Sequence, residues 1–224
     1  MIILAIDTAF DACSAAIISG SNVLWAEQRI IGKGHSEILP PMVATGFAAA
    51  KITPKDIGRI GVVVGPGAFA GVRVGVAFAR GFRIGLEAGL VGITSNEALA
   101  ASLPPGEGLI ATVFNARRGQ VYAALHDAAV NALLPPFVAS PDEAAARLSA
   151  VAGGAQIRLA GSGAALMITN SQYTEEKALH ADPVAIARRA AIRPVAPELP
   201  TPLYLRPPDA APSSGSIFAG LAPL

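Results

Sequence analysis

Two glycine turns and one acidic residue are the parts of this chain whose types and spacing suit phosphate chemistry. Residues 61–81 read GVVVGPGAFAGVRVGVAFARG, an apolar run that enters Gly65-Pro66-Gly67 and continues into a glycine-spaced segment. A strand, a glycine turn and a helix in that order can present backbone N–H groups to a phosphate. Gly65 to Ala70 matches the alanine-ended form of the dinucleotide fingerprint. That fingerprint also needs an acid at the end of the following strand to hold the ribose. Here that strand would end Gly92-Ile93-Thr94, and Glu87 lies before it. The turn is not a Walker loop either, because Gly71 is followed by Val72 and Arg73 where lysine and Ser/Thr are required. Pro66 further removes a backbone donor. The glycines are equally those of a tight turn into a closely packed helix, and this second reading is preferred.

The amino-terminal ILAIDTAFD places Asp7 and Thr8 at the end of a first strand. In actin-like and sugar-kinase ATPases an Asp-x-Gly-Thr turn at this place organises magnesium and phosphates; here Ala9 stands where the turn glycine would be. Asp7 and Thr8 can instead bond to nearby backbone, as short polar residues do in turns. A second strand-to-glycine turn, Gly161-Ser162-Gly163, follows residues 157–160. Asp7, Thr8, Gly161 and Gly163 are therefore the residues open to a nucleotide, with a purely structural role as the alternative.

The elements that position these residues follow from hydropathy patterning. Strands are expected at 2–6, 14–19, 22–30, 60–64 and 90–93, with helices at 35–51, 70–87 and 96–103. Pro104-Pro105-Gly106 marks a boundary. Beyond it lie a hairpin turning at 117–119, a helix at 141–150 opened by Ser140-Pro141-Asp142-Glu143, the strand at 157–160, and a helix capped by Asp182-Pro183. The fold class is α/β, in two units covering 1–104 and 105–206, with a flexible tail at 207–224.

The glycine helix carries a second message. Gly71, Gly75 and Ala79 share one face, and small residues let another backbone approach closely. Each glycine costs a helix about 1 kcal/mol relative to alanine, so several of them need a packing reason. Val72 and Val76 lie on one face and Val74, Phe78 and Phe82 on another; the helix before it carries Ile38 and Met42 on one side and Leu39, Val43 and Phe47 on another. Helices apolar around most of their circumference are buried on more than one side, by a partner or by a thicker internal core. The partner version assigns the contact to Ile38, Met42, Phe69, Gly71, Val72, Gly75 and Val76, with Arg73 and Arg80 pairing with acids at the rim.

Bulk properties narrow the function classes. A chain of 224 residues that is 52% hydrophobic and 15% charged has ample material for a core. Its net charge of +1 gives no general nucleic-acid footprint. It has no uncharged apolar run of membrane-spanning length and no basic leader, and its single cysteine, Cys13, fits a cytoplasmic protein. With histidines only at 35, 126 and 180, no metal site is expected.

Taken together, LAIDTAFDACSAAI, GHSEILPPM, VVVGPGAFAGVRVGVAFARGF, NARRGQVYAA and PLYLR resemble, in order over residues 1–206, successive blocks of the TsaB (YeaZ) family. The resemblance implies two actin-like, RNase H-like domains. It implies a non-catalytic paralogue of the TsaD transferase that helps install N6-threonylcarbamoyl on tRNA adenosine (t6A), pairs with TsaD, and is joined by the ATPase TsaE. It implies that tRNA is met only through the complex, that the isolated chain is a homodimer, and that no cofactor is needed. The His-x-x-x-His metal motif of TsaD is replaced here by Ser95-Asn96-Glu97-Ala98-Leu99. Asn115 and Gln120 stand where the family's hairpin usually carries acids. An actin-clan kinase or ATPase, and a hydrolase of the M22 glycoprotease type, are the competing classes.

Overall fold

The computed structural model describes residues 1–167 and 172–206. The first unit begins with strands β1 (Ile2–Asp7), β2 (Ala12–Ser19) and β3 (Asn22–Ile30). Helix α1 (His35–Ala50) follows, then β4 (Ile57–Val63), helix α2 (Phe69–Arg83), β5 (Gly89–Ile93) and helix α3 (Ser95–Ser102). The second unit contains β6 (Leu109–Arg117), β7 (Gln120–His126), β8 (Ala132–Ala139), α4 (Pro141–Ala152), β9 (Ile157–Ala160), β10 (Tyr173–Glu175) and α5 (Pro183–Ile192).

The two sheets repeat one plan. The first has the order β3-β2-β1-β4-β5 and the second β8-β7-β6-β9-β10. In each, three antiparallel strands are extended by two that run parallel to the first of the three. This is the mixed-sheet α/β arrangement in two units expected from the sequence.

Alternation along β4 assigns the layers, because successive strand residues point to opposite faces. A Cβ on Gly61 would lie 2.6 Å from the Ala190 methyl on α5, whereas Val62 reaches toward Gly75 on α2. So α1 and α2 cover one face of the first sheet and α5 the other. Gly46 lets α1 lie flat on the Trp25 ring, where an added Cβ would come within 2.5 Å. Helix α3 packs between α5 and strands β6 and β7, and α4 covers the far side of the second sheet.

The placement of α5 departs from the expected division at residue 104. Ala181, Ile186, Ala187 and Ala190 are buried in the core of the first unit, and residues 199–204 also return to it. The Leu203 N–H donates to the Val64 carbonyl at 2.7 Å. Chain order put these segments with the second sheet; apolar burial puts them on the first. Glu97, 7% exposed at its side chain, ties α3 to α5 by pairing with both Arg189 and Arg193. Two strands were not foreseen: the eight-residue β8 contains Pro135 and Pro136, which suit only a sheet edge, and β10 has three residues. The expected tail at 207–224 lies outside the described residues.

Candidate docking face and interdomain cleft

The glycine turn is locked onto the end of the first strand. The Asp7 carboxylate accepts the Ala9 N–H at 2.8 Å, and the Thr8 hydroxyl donates to the Gly71 carbonyl at 2.7 Å. The Ala9 carbonyl accepts the N–H of Ala68, the residue that caps α2, at 2.7 Å. A Cβ on Gly67 would meet Ala9 O at 2.3 Å, one on Gly71 would meet Thr8 O at 2.2 Å, and one on Gly75 would meet the Thr8 hydroxyl at 2.5 Å. At the amino end of α2, where a phosphate would be held, the N–H of the capping residue Ala68 is thus taken by the chain's own Ala9 carbonyl, and the Thr8 and Ala9 carbonyls lie against Gly71 and Gly67. Burial pushes the Asp7 carboxyl up to about 6, against the lowering effects of the Ala9 N–H and of His180.

The second turn repeats this packing. Gly161 has φ +105°, and a Cβ there would lie 2.3 Å from Val113 O; one on Gly163 would lie 2.8 Å from the Val113 side chain. The Gly163 N–H donates to Val113 O at 2.9 Å. Phe10, just beyond the first turn, stacks on Phe114 of β6 with ring centroids 4.3 Å apart. The four candidate nucleotide residues are therefore all engaged within the chain, Asp7 with Ala9, Thr8 with Gly71 of α2, and Gly161 and Gly163 with Val113 of β6, and an aromatic pair joins the two units beside them. Among the described residues, no group of three or more His, Cys, Asp or Glu side chains could hold a metal ion. Among the described residues, no helix is long and apolar enough to cross a membrane.

The expected partner face divides in two. Met42, Val72 and Val76 are 2%, 1% and 3% exposed and belong to the core of the first unit. Gly71 and Gly75 face the turn just described. These five residues touch the chain's own interior, and assigning them to a partner contact is corrected accordingly. The glycine stripe does admit a close backbone, but that backbone is residues 8–9. Ile38 is half-buried and Phe69 is 38% exposed.

The arginines are also held internally. Arg73 donates to the Tyr204 hydroxyl at 2.8 Å and lies 3.8 Å over the Phe69 ring. Arg80 donates to the carbonyls of Pro200 and Leu199, and Arg83 to that of Ala88. The rim pairing expected of Arg73 and Arg80 is replaced by contacts with residues 199–204. With these charges drawn aside, the outward stripe of α2 is Ala70, Val74, Ala77, Phe78 and Gly81. Pro40, Pro41, Ala44 and Ala48 of α1 are exposed as well. Phe47, Phe82 and Phe78 form a row of stacked rings linking the two helices. Sequence patterning found both apolar stripes of α2 but chose the wrong one as outward. The missing signal was the partner of the glycines, which lies 63 residues away at Thr8.

Between the units lies an open cleft of about 690 Å³, walled by the turn at Pro66–Phe69, the hairpin tip at Asn115–Arg118 and the strap at Leu203–Arg206. Arg117 and Arg118 are exposed and hold left-handed backbones, φ 61° and 53°. Such a conformation costs a side-chain-bearing residue roughly 1–2 kcal/mol. Arg206 donates from both terminal nitrogens to the Ala116 carbonyl at 3.0 and 2.8 Å, fixing the hairpin tip. Asp11 lines the same cleft and bonds His180 at 2.8 Å.

Comparison with known proteins agrees with this architecture. Residues 27–183 match the family described as TsaD, tRNA N6-adenosine threonylcarbamoyltransferase. The chain is 36% identical over 126 residues to the Bacillus subtilis (strain 168) tRNA threonylcarbamoyladenosine biosynthesis protein TsaB, a match covering 56% of this chain and 55% of that protein. It is 33% identical over 124 residues to the Escherichia coli (strain K12) protein of the same name, covering 54% and 53%. The chain thus spans about half the length of the TsaB relatives it matches. An uncharacterized Mycobacterium tuberculosis protein is 30% identical over 220 residues, with 94% of each chain covered. Among solved structures, a Pseudomonas aeruginosa protein with similarity to peptidase YeaZ superposes with a TM-score of 0.78 at 25% identity, covering 92% of this chain and 99% of that one. The matched domain, the relatives and the shared fold make this chain a member of the TsaB (YeaZ) family.

Proposed function

We propose that this chain is the supporting, non-catalytic subunit of a cytoplasmic t6A-synthesis assembly, and that it pairs with a TsaD-type transferase through the outer face of α1 and α2. The observation that carries the reading is the charge-free stripe of α2, with Ala70, Ala77 and Gly81 exposed and Val74 and Phe78 half-buried between them, while all three arginines of α2 are bonded within the chain. A contiguous apolar surface of this kind marks an interaction site. Its small residues permit close helix approach, and its aromatic row offers the large apolar anchors on which interfaces depend. Ile38 and Phe69 border the stripe; Arg73 and Arg80 shape its edge through the strap. In the absence of the transferase, the same face pairs two copies of the chain. A TsaE-type ATPase joins the pair, and tRNA is modified on the transferase subunit.

Support for the non-catalytic part comes from the turns. Asp7 and Thr8 are spent on backbone partners, and Ala9 occupies the amino end of α2. Reconstitution tests the whole reading: tRNA threonylcarbamoylation by the cognate TsaD and TsaE subunits, with and without this chain. Modification should require the chain, and the chain alone should neither turn over Mg-ATP nor hydrolyse peptides. Full modification without it, or ATP turnover by it alone, would sink the proposal.

A further inference from the structure

We propose that the apolar segment Ile217–Leu221 of this same chain docks in cis on the outer stripe of α2 and covers it until a partner displaces it. The inference rests on the reading that this stripe is a docking face, and it adds what occupies the face before the transferase arrives. Residues 207–224 lie beyond the described part of the chain. Three things bear on them: their sequence, their point of departure and the surface within their reach.

After Asp209 the chain reads AAPSSGSIFAGLAPL, without a charged side chain. Ile217, Phe218, Leu221 and Leu224 are its large apolar residues, set among alanine and glycine. Such a segment gains by leaving water, and it has no charge to desolvate against an apolar face.

The last described residues bring the chain to the flank of α2. The Leu203 N–H donates to the Val64 carbonyl. The Tyr204 ring lies 5.0 Å from that of Phe69, the first residue of α2, and its hydroxyl accepts from Arg73 at 2.8 Å. Arg73 stands about one turn from both Ala70 and Ala77 of the stripe. The stretch from Arg206 to Ile217 can span up to about 35 Å. The stripe from Ala70 to Gly81 is only about 17 Å long at 1.5 Å rise per residue.

The surface fits the segment. Ala70 and Ala77 are exposed, and no atom lies within 4 Å of where a Cβ on Gly81 would sit, so side chains can be laid against the stripe. The interdomain cleft is the other surface near the point of departure, and it matches less well. Asp11, Arg117, Arg118 and Arg206 line it. An apolar segment seated there would strip water from charged groups and give no hydrogen bond in return. Tethering makes the contact with α2 intramolecular, at an effective concentration on the order of 1 mM, so a modest intrinsic affinity suffices. With the stripe covered about nine-tenths of the time, a transferase subunit or a second copy would meet an apparent affinity roughly tenfold weaker than that of the bare face.

Disulfide trapping in the full chain tests the contact. The native Cys13 is buried, and that burial pushes its thiol up to about 11, so it stays out of the exchange. One variant pairs Ala77→Cys with Phe218→Cys. The comparison pairs Phe218→Cys with Ser162→Cys, an exposed position in the cleft. Each is equilibrated with oxidised glutathione at a dilution where light scattering shows monomers, and linked forms are separated on non-reducing gels. The Ala77 pair should close within the chain about tenfold faster than the Ser162 pair. Equal rates, faster closure at Ser162, or links formed only between chains would overturn the proposal. The second arm titrates the TsaD-type subunit against the parent and a Phe218→Ser, Leu221→Ser variant, which leaves every described residue intact. The variant should bind about tenfold more tightly. Binding by both with unchanged or weaker affinity for the variant would also overturn the proposal. Preferential closure at Ala77, with no transferase binding by parent or variant, would uphold the covered stripe and count against the docking reading on which transferase pairing rests.

Discussion

The two long faces of α2 use similar residues for opposite ends. On the inner face, Gly71 and Gly75 are pressed against Thr8, and Val72 and Val76 are sealed in the core. On the outer face, Val74 and Phe78 are half-buried, and Gly81 has no atom within 4 Å of where a Cβ would sit. Glycine and valine occur on both, so composition does not separate them. Contact does: the inner residues hold the first unit together, and the outer ones are free to hold something else. Substitutions on the two faces should therefore fail in different ways.

The sharpest contrast is Val76→Glu. A carboxylate at this site would be buried without a partner, a cost of at least about 4 kcal/mol. We expect loss of cooperative folding, read by circular dichroism and denaturant titration, and not a folded chain that merely fails to dimerise. A folded Val76→Glu monomer would show that the inner face is less closed than its 3% exposure implies.

Next come the glycines that meet backbone. Gly71→Ala places a methyl 2.2 Å from Thr8 O, and Gly161→Ala places one 2.3 Å from Val113 O at φ +105°. Each should cost roughly 3 kcal/mol, since the colliding atoms are main chain and yield little. Equal losses would show that the two units use the same turn for the same purpose; a tolerant Gly161→Ala would separate them.

Asp7→Asn tests the turn that the inner face grips. The folded chain holds the Asp7 proton up to a pH of about 6, whereas the usual value is 3.8. Between those two values the folded state binds more protons than the unfolded state. Stability therefore falls as pH rises through that window and stays level above it. Asparagine keeps the acceptor for Ala9 and carries no charge, so it should raise stability at pH 7 by about 3 kcal/mol and abolish the fall. Chemical denaturation between pH 4 and 8 checks both. Destabilisation at pH 7 would mean that the carboxylate is needed as an anion.

The smallest effect is Gly81→Ala on the outer face. Nothing crowds the new methyl, so helix propensity alone should raise stability by about 0.5–1 kcal/mol, seen as a modest rise in denaturation midpoint.

Much of the fold was legible because local rules and burial agreed. The Ser140 and Asp182 caps opened helices where expected, with side chains accepting from the Glu143 and Val184 N–H groups. The hairpin turned at 117–119, and both strand-to-glycine turns were found. The candidate site was less legible, because helix phase depends on a distant partner. Two apolar stripes on α2 look alike until Thr8 and Ala9 are seen against one of them. Arg73 and Arg80 look like rim charges until the strap at 199–204 is placed. The return of α5 to the first sheet, and the Phe10–Phe114 stack that joins the units, depend on contacts between residues far apart in the chain and leave no periodic trace in sequence.

The central claim is that the outer stripe of α2 docks the transferase subunit, and Phe78→Glu tests it most directly. Phe78 is half-buried at the surface and stacks on Phe82, so the variant should remain folded, with a lowered denaturation midpoint, and a Phe78→Ala variant serves as the control for the lost stacking. Size-exclusion chromatography with light scattering, on the chain mixed with its cognate TsaD-type subunit, reads the outcome. We predict that the parent elutes as a heterodimer and the variant as separate components, because a charge desolvated at the centre of an interface opposes association strongly. A folded Phe78→Glu chain that still forms the heterodimer with undiminished affinity would contradict the account.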